Sequence, residues 1–328
     1  MDKKIVEQLK KSSSFPYSAK KVDFVETHIS WIYLAGNYVY KVKRPVKFTF
    51  LDFSTVAKRR FYCKEEVRLN KRLCRDMYTG VVPIVKRGGK YYFEGDGEIT
   101  DYAVKMKRKP EERKMDNLLG KGKVTVADIE KIALRIARFH DTARIIEYRR
   151  YGAPELIKEQ TDDIGNHRKT IEKACKMGDK VDFALKKCNR FYEKNYAVFE
   201  RRQGAGMIRD CHGDLHSANV FLADKTYIFD CIEFNEDFRY IDVANEIAFM
   251  AMDLDAFGRE DLSRAFVKRY ANLMRYREIF LLLDYYKCYR ANVRAKIAAI
   301  EYAQKPNADS KKRIAKYCEL MERYAKRL

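Results

Sequence analysis

Apolar and polar positions follow two different patterns along the chain, and the change falls near residue 107. From about residue 22 to 106 the pattern is that of strands, because aromatic and β-branched residues fill 29–34 and 38–42 and the turn signal Ala35-Gly36-Asn37 joins them. One amphipathic helix is predicted to interrupt the strands at about 54–73, and a short helix over residues 2–11 to precede them.

After residue 107 the spacing of apolar residues is helical. Thr125 and Asp128 form a helix-capping signal, and Ile129, Ile132 and Ile136 then recur on one helical face. Helical spacing returns at about 155–200 and from about 241 to the end, whereas 207–234 is extended and turn-like. The predicted fold class is therefore α+β, with an antiparallel β lobe and one main helix over residues 1–107 and a larger, mostly α-helical lobe over 108–328.

Composition limits the classes of protein that fit. The 328 residues are 46% apolar, which is enough to bury a substantial core, and the length suggests two domains or one large domain with two lobes. No run approaches the ~18 uncharged apolar residues of a membrane span, and the start from Met1 to Glu7 lacks the apolar stretch of a signal peptide. The eight cysteines are scattered without a C-x-x-C pair, which is typical of reduced thiols. We expect a cytoplasmic monomer that does not insert into a membrane.

Charge is distributed unevenly. The formal net charge is +21, and a protein this basic attracts polyanions. Residues 205–256, however, hold eleven acidic residues against three basic ones, a net charge of −8. Such local acidity suits a divalent cation site, although a solvated acidic face would explain part of it.

The residues with the clearest chemistry are spaced as His212-x-Asp214-x4-Asn219, followed after a short hairpin by Asp230. Phosphoryl transfer needs a carboxylate that orients or deprotonates the acceptor hydroxyl, and oxygen ligands that hold magnesium against the phosphates. Asp214 fits the first role. Asn219 and Asp230 fit the second, because amide and carboxylate oxygens are hard ligands and the hairpin can bring them together.

This segment resembles the catalytic loop of aminoglycoside phosphotransferases and choline-kinase-like enzymes, in which His-Gly-Asp-x-x-x-x-Asn precedes a metal-binding Ile-Asp strand. The resemblance implies a two-lobed protein-kinase-like fold, Mg2+, and ATP or GTP as the phosphate donor. It assigns Asp214 as catalytic base and Asn219 and Asp230 as magnesium ligands. We also expect His212 to support the conformation of the loop. His216 has two possible roles: it approaches the γ-phosphate, or it is simply exposed to solvent.

The upstream lobe agrees with this resemblance. Kinase-like folds need a strand lysine that contacts the phosphates and pairs with a helix glutamate. Lys41 is the preferred lysine, although Lys43 points the same way by strand alternation, and Glu66 is preferred over Glu65 because it shares a helical face with apolar residues. No G-x-G-x-x-G loop is present.

Residues 26–30 are the expected counterpart of the phosphate loop, with Thr27 and Ser30 as nucleotide-binding residues, and Met106 is added where the β pattern ends. Residues 59–70, with Val81-Val82-Pro83-Ile84, also resemble a poorly characterised bacterial and archaeal subgroup of these kinases. Some members of that subgroup carry a further P-loop ATPase domain, which we do not expect here. Asp242 resembles a family aspartate that supports the catalytic loop.

Three other functions compete with a kinase. His212-x-Asp214-x-His216 could chelate a transition metal in a hydrolase, the +21 charge could serve nucleic-acid or polyanion binding, and a kinase fold could be an inactive scaffold. The acceptor is expected to be a hydroxyl of a small molecule. The sequence leaves a nucleic-acid or protein acceptor open, and does not decide whether a small acceptor is cationic, neutral or anionic.

Overall fold

The computed structural model describes residues 3–328, and its elements follow the change of pattern in the sequence. In chain order the elements are α1 (Lys3–Leu9), β1 (Val22–Glu26), β2 (Ser30–Ala35), β3 (Tyr38–Lys43), β4 (Lys47–Phe48), β5 (Leu51–Asp52), α2 (Val56–Cys74), β6 (Tyr78–Arg87), β7 (Lys90–Phe93), β8 (Glu98–Lys107), α3 (Met115–Gly120), α4 (Val126–Thr142), α5 (Pro154–Asp162), α6 (Arg168–Cys175), α7 (Gly178–Gly204), β9 (Ile208–Asp210), β10 (Val220–Leu222), β11 (Thr226–Ile228), β12 (Tyr240–Asp242), α8 (Val243–Ala256), α9 (Glu260–Met274), α10 (Ile279–Gln304) and α11 (Ala308–Ala325). The α+β, two-lobed kinase-like fold class is confirmed.

The chain forms two compact units, and the first consists of the residues up to Asn117 together with Asn219–Glu236. Its centre is an antiparallel sheet in the order β1-β2-β3-β8-β6-β7. Because side chains alternate along β3, Tyr40 and Val42 enter one apolar core, whereas Val39 enters the core shared with α2 and the β10–β11 hairpin. The same alternation turns Lys41 and Lys43 towards α2.

The second unit comprises Leu118–Ala218 and Asp237 to the end. Its central helix is α8, which is buried from Val243 to Asp255. Helix α8 packs against both α9 and α10. A helix buried on all sides places its polar residues in the interior, so the acids of α8 need partners there.

Local signals mark several helix ends correctly. Thr125 and Asp128 form the expected capping box at the start of α4. Helix α2 begins one residue after its capping residue Thr55. The first predicted helix, 2–11, corresponds to α1 at Lys3–Leu9, and its residue 2 lies outside the described residues.

The compact units divide the chain differently from a single boundary at residue 107. Residues 219–236 belong to the first unit because β11 and its neighbours pack on α2 and the sheet, although they follow in sequence a stretch of the second unit. The lobes 1–107 and 108–328 stay a prediction.

Across residues 3–328, no helix combines the length and apolar character that crossing a bilayer requires.

Candidate active site

A buried ion-pair cluster lies where β3, α2 and the segment after β11 meet in the first unit. Lys41 Nζ is 2.9 Å from Glu66 Oε1 and 2.5 Å from Asp230 Oδ1. The Glu66 side chain is fully buried, whereas 41% of the Asp230 side chain is exposed. Lys41 therefore joins an interior carboxylate to one that faces solvent.

Lys43 makes a second set of pairs behind the first. Its Nζ is 2.7 Å from the other oxygen of Glu66, and it also donates a hydrogen bond to Glu233. Glu65, by contrast, pairs with Arg68 on the surface of α2. The preference for Glu66 over Glu65 agrees with this geometry, and Lys41 is the lysine that contacts Asp230. Glu233 was missed, although an acid three residues after Asp230 in an apolar segment is a usable signal.

The charges in this cluster depend on one another. Burial lowers the pKa of Lys41, but Asp230, Glu66 and Glu233 raise it more, so its pKa lies well above the usual lysine value. Burial raises the pKa of Glu66, but Lys41 and Lys43 bring it down to about 2. Burial is the main cause that raises the pKa of Glu233. Both lysines and Glu66 are thus charged at neutral pH.

The β10–β11 hairpin brings Asn219 close to Asp230. Val220 pairs with Ile228 in the ladder, and the Phe229 N–H donates to the Asn219 carbonyl at 3.0 Å. Asp230 has φ +64°, a left-handed backbone that costs energy for a residue with a side chain. Its N–H donates to the Tyr78 hydroxyl at 3.3 Å. Such strain, held by neighbouring contacts, is typical of functional residues.

The remaining nucleotide-site predictions lie in the sheet. Thr27 and Ser30 close the β1–β2 turn, because the Ser30 N–H donates to Thr27 Oγ1 at 2.9 Å. The Ser30 side chain is buried and its hydroxyl makes no hydrogen bond. Met106 is a buried residue of β8 paired with Val39. Their contact with a nucleotide stays a prediction.

In the second unit, one buried carboxylate holds the backbone of the predicted catalytic loop. Glu246 Oε2 accepts from the His212 N–H and Oε1 from the Gly213 N–H, both at 2.7 Å. Gly213 has φ +87°, a conformation that favours glycine. The loop therefore turns at Gly213 with its two N–H groups held by α8.

The same carboxylate contacts His140 of α4. His140 Nε2 is 3.1 Å from Glu246 Oε2, and His140 Nδ1 is 2.7 Å from the Tyr270 hydroxyl. Cys211 lies beside them, and the three residues His140, Cys211 and Glu246 could in principle hold a metal ion. Burial raises the pKa of Cys211 well above its usual value, so it stays a thiol, and we read this cluster as a hydrogen-bonded brace.

Asp214 lies at the exposed end of the loop. His216 Nε2 is 3.2 Å from Asp214 Oδ2, and the Asp214 N–H donates to His212 Nδ1 at 3.2 Å. Burial raises the pKa of Asp214, but His216, Arg294 and His212 lower it more, so it lies well below the usual value. The carboxylate is therefore ionised and 34% of its side chain is exposed, as an acceptor of a hydroxyl proton requires. His212 is fully buried, and its role as a brace of the loop stays a prediction.

The geometry speaks against a metal held by His212-x-Asp214-x-His216. His212 Nδ1 accepts from the Asp214 backbone and so turns towards the loop itself. Within residues 3–328, the grouping of side chains with metal-ligand geometry contains neither Asp214 nor His216.

Two more acids of the second unit secure the loop and its surroundings. Asp253 Oδ2 accepts from the Ser217 N–H at 2.8 Å. Asp242, for which the sequence suggested loop support, instead pairs with Arg202 at 2.7 Å and caps α8 through the Ala244 N–H. Glu246 and Asp253 therefore supply hydrogen bonds that were expected from Asp242.

Most acids of the stretch 205–256 pair with partners in the unit to which each belongs. Asp210 pairs with Arg239, and Asp255 with Lys287. Glu233 and Asp230 pair with lysines of β3, and Glu246 is held as described above. The acidity of this sequence therefore does not amount to an open acidic surface for a cationic ligand.

The fold is that of small-molecule kinases. A thermostable mutant of aminoglycoside phosphotransferase APH(4)-Ia matches with a TM-score of 0.52 and 14% identity, over 93% of this chain and 95% of that one. An ethanolamine kinase of Plasmodium vivax has a TM-score of 0.52 at 10% identity, over 92% and 81% of the two chains. A choline kinase of Cryptosporidium parvum has a TM-score of 0.51 at 10% identity, over 99% and 95%. The predicted resemblance is confirmed at the level of the fold.

Sequence relatives are found in mycobacteria. Uncharacterised proteins of Mycobacterium tuberculosis and Mycobacterium bovis are 31% identical over 293 residues, which is 88% of this chain. These residues make up 57% of the relatives, so the chain spans little more than half their length. No protein-family model matches the sequence.

Proposed function

We propose that this chain is a magnesium-dependent phosphotransferase that moves the γ-phosphate of ATP or GTP to a hydroxyl of a small molecule. The observation that carries the proposal is the contact of Lys41 with both Glu66 and Asp230. A lysine pinned between a helix glutamate and an exposed carboxylate matches what phosphate and metal binding need, and the kinase-like fold supports the same assignment.

The residues fit a magnesium ion by the chemistry of their oxygens. Asp230 offers a partly exposed carboxylate, and Asn219, whose backbone carbonyl accepts from the Phe229 N–H beside Asp230, carries a carboxamide of the required chemistry. When bound, magnesium would neutralise charge on the phosphates. Lys41 would then exchange its contact with Asp230 for a phosphate oxygen while Glu66 keeps its ammonium group in place.

Asp214 supplies the acid–base step. Its carboxylate orients the acceptor hydroxyl and accepts its proton as the new O–P bond forms and the bond between the β- and γ-phosphates breaks, which leaves the nucleoside diphosphate. A carboxylate with a low pKa is a weak base, so its main contribution is orientation, as in a loose phosphoryl-transfer transition state. His216 holds the carboxylate from the side.

Nucleotide binding tests this proposal most directly. The shift in melting temperature with ATP or GTP would be measured with and without magnesium, on the wild type, Asp230→Asn and Asp224→Asn. Asp224 is a matched control because it is an exposed acid of the same hairpin. We expect a magnesium-dependent shift that Asp230→Asn loses and Asp224→Asn keeps. No shift with either nucleotide in the wild type would refute the proposal and favour a scaffold or a polyanion-binding protein.

A further inference from the structure

The surroundings of Asp214 in the second unit are basic. Arg290 of α10 donates from Nη1 to the Gly213 carbonyl at 3.2 Å and from Nε to Asn245 Oδ1 at 2.7 Å. Its guanidinium lies 4.6 Å from the ring centroid of Phe249, and that ring also packs on His216 at 5.2 Å. Arg290 is thus fixed against the turn that immediately precedes Asp214.

Arg294 continues the same face of α10 one helical turn further on. Residues four apart lie on one side of a helix, about 6 Å apart along its axis. Arg294 acts electrostatically on Asp214 and on Asp253. Its Nε is 3.4 Å from the Tyr317 hydroxyl of α11, and it forms no ion pair with a carboxylate in residues 3–328.

Lys316 of α11 adds a third cation. Its Nζ lies 5.1 Å from the Phe257 ring centroid and 5.9 Å from that of Tyr317, and it too makes no ion pair with a described carboxylate. Burial lowers the pKa of Lys316, and the nearby Arg294 lowers it further, against the opposing effect of Asp253. Asp214 and Asp253 balance part of the charge of these two partly buried cations from a distance. An anion in direct contact with Arg294 and Lys316 would stabilise both further.

We propose that the phosphate acceptor carries, besides its hydroxyl, an anionic group, either a phosphate ester or a carboxylate, that binds Arg294 and Lys316. This inference rests on the proposed function, because it places the hydroxyl at Asp214. Arg290 contacts the loop at Gly213, and Arg294, one turn further along α10, acts electrostatically on Asp214. An acceptor whose hydroxyl is separated by a few bonds from a phosphate or carboxylate fits this arrangement.

The acids that could recruit a cationic acceptor are otherwise engaged. Asp253 accepts from the Ser217 N–H, and Asp255 is bonded to Lys287 and to the Tyr324 hydroxyl. Among Asp214, Asp253 and Asp255, only Asp214 has a partly exposed side chain, and in the proposed function its carboxylate binds the acceptor hydroxyl. Charge at this place therefore selects an anion.

The test compares four probes of similar size that differ in charge: glycerol, glycerol 3-phosphate, glycerate and choline. Their dissociation constants would be measured by calorimetry on the full chain, with and without saturating magnesium and a non-hydrolysable ATP analogue, so that the γ-phosphate position is filled in one arm. The variants are Arg294→Gln, Lys316→Gln and the control Arg269→Gln, which changes an exposed arginine of α9. Melting temperatures check that each variant is folded.

We expect one or both anions to bind at least about tenfold more tightly than glycerol and choline, since charge-assisted hydrogen bonds favour them. Arg294→Gln and Lys316→Gln should each weaken anion binding about tenfold, and Arg269→Gln should not change it. The phosphate and carboxylate arms identify which anionic group is preferred. The inference is overturned if choline or glycerol binds as tightly as both anions, or if neither anion binds. It is also overturned if Arg294→Gln and Lys316→Gln both keep the wild-type affinity for the anions.

Binding of the ATP analogue tests the proposed function, and binding of the anions tests the proposed acceptor, so the two results are independent. Absence of binding of the ATP analogue with magnesium would refute the phosphotransferase, while the titrations without nucleotide still decide whether Arg294 and Lys316 bind anions. Binding of the analogue together with preference for choline would leave the phosphotransferase standing and overturn the anionic acceptor.

Discussion

Replacing Glu246 by Gln tests how the catalytic loop is held. The carboxylate of Glu246 accepts the N–H groups of His212 and Gly213 and contacts His140. A glutamine keeps the size of the side chain but has only one carbonyl oxygen. Its NH2 group takes the place of the other carboxylate oxygen and therefore faces a backbone N–H, which is also a donor. The variant removes the charge and leaves a buried donor unsatisfied without creating a cavity.

The magnitude follows from the pKa of the carboxyl group. Burial raises the pKa of Glu246, but His140 and His212 lower it more, and it falls from 4.5 to about 2. At 1.36 kcal/mol for each tenfold change in proton affinity, the ionised form contributes about 3 kcal/mol to the free energy of unfolding. Because the pKa is lower in the folded state, this contribution is present above pH 5 and is lost as the pH falls towards 2. At pH 3 about 1 kcal/mol of it is left.

Urea unfolding followed by circular dichroism at several pH values measures this effect. The free energy of unfolding of Glu246→Gln should be lower than that of the wild type by about 3 kcal/mol at pH 7, and the difference should narrow towards pH 3. Glu260→Gln serves as control, because Glu260 pairs with Arg323 on the surface. A difference below about 1 kcal/mol at pH 7, or one that does not change with pH, would refute the role given to this carboxylate.

Four further substitutions have distinct expected outcomes. Lys41→Met should weaken magnesium–nucleotide binding at least about tenfold in calorimetry, because Glu66 and Asp230 lose their shared cation, whereas the exposed Lys47→Met should not; equal affinities would contradict the assignment. Asp214→Asn should keep nucleotide binding and lose about 10²–10⁴-fold in turnover measured by release of nucleoside diphosphate, and full turnover would show that it is not the base. Lys43→Met should lower the free energy of unfolding by about 3–5 kcal/mol, because the buried Glu233 loses its lysine and the buried Glu66 keeps only Lys41, and an unchanged urea midpoint would disprove this. Thr125→Ala should cost about 1 kcal/mol through loss of the cap of α4, and no shift in melting temperature would argue against the cap.

Sequence patterns predicted the elements whose determinants are local. The turn 35–37, the cap at Thr125 and the β10–β11 hairpin each depend on a few neighbouring residues, and each occurs in the structure. The spacing of Asp214, Asn219 and Asp230 was also readable, because it lies on one short stretch of chain.

Which charged residues pair with each other was harder to predict from the sequence. Strand alternation left Lys41 and Lys43 equivalent, and only the packing of β3 against α2 and the segment after β11 gives Lys41 the contact with Asp230. The excess of acids in 205–256 suggested an open cation site, yet the fold supplies distant basic or backbone partners for most of them.

The sequence by itself therefore determined the fold class, the order of the elements and the candidate chemistry of the loop, because hydrophobic periodicity, turn residues and motif spacing act over short stretches. Only the tertiary structure decided that Glu246 and Asp253 hold the loop and that Arg294 acts electrostatically on Asp214. These groups come from helices that follow the loop by more than thirty residues. A buried charge pairs with a group that is close in space, and the spacing of residues along the chain does not show which group that is.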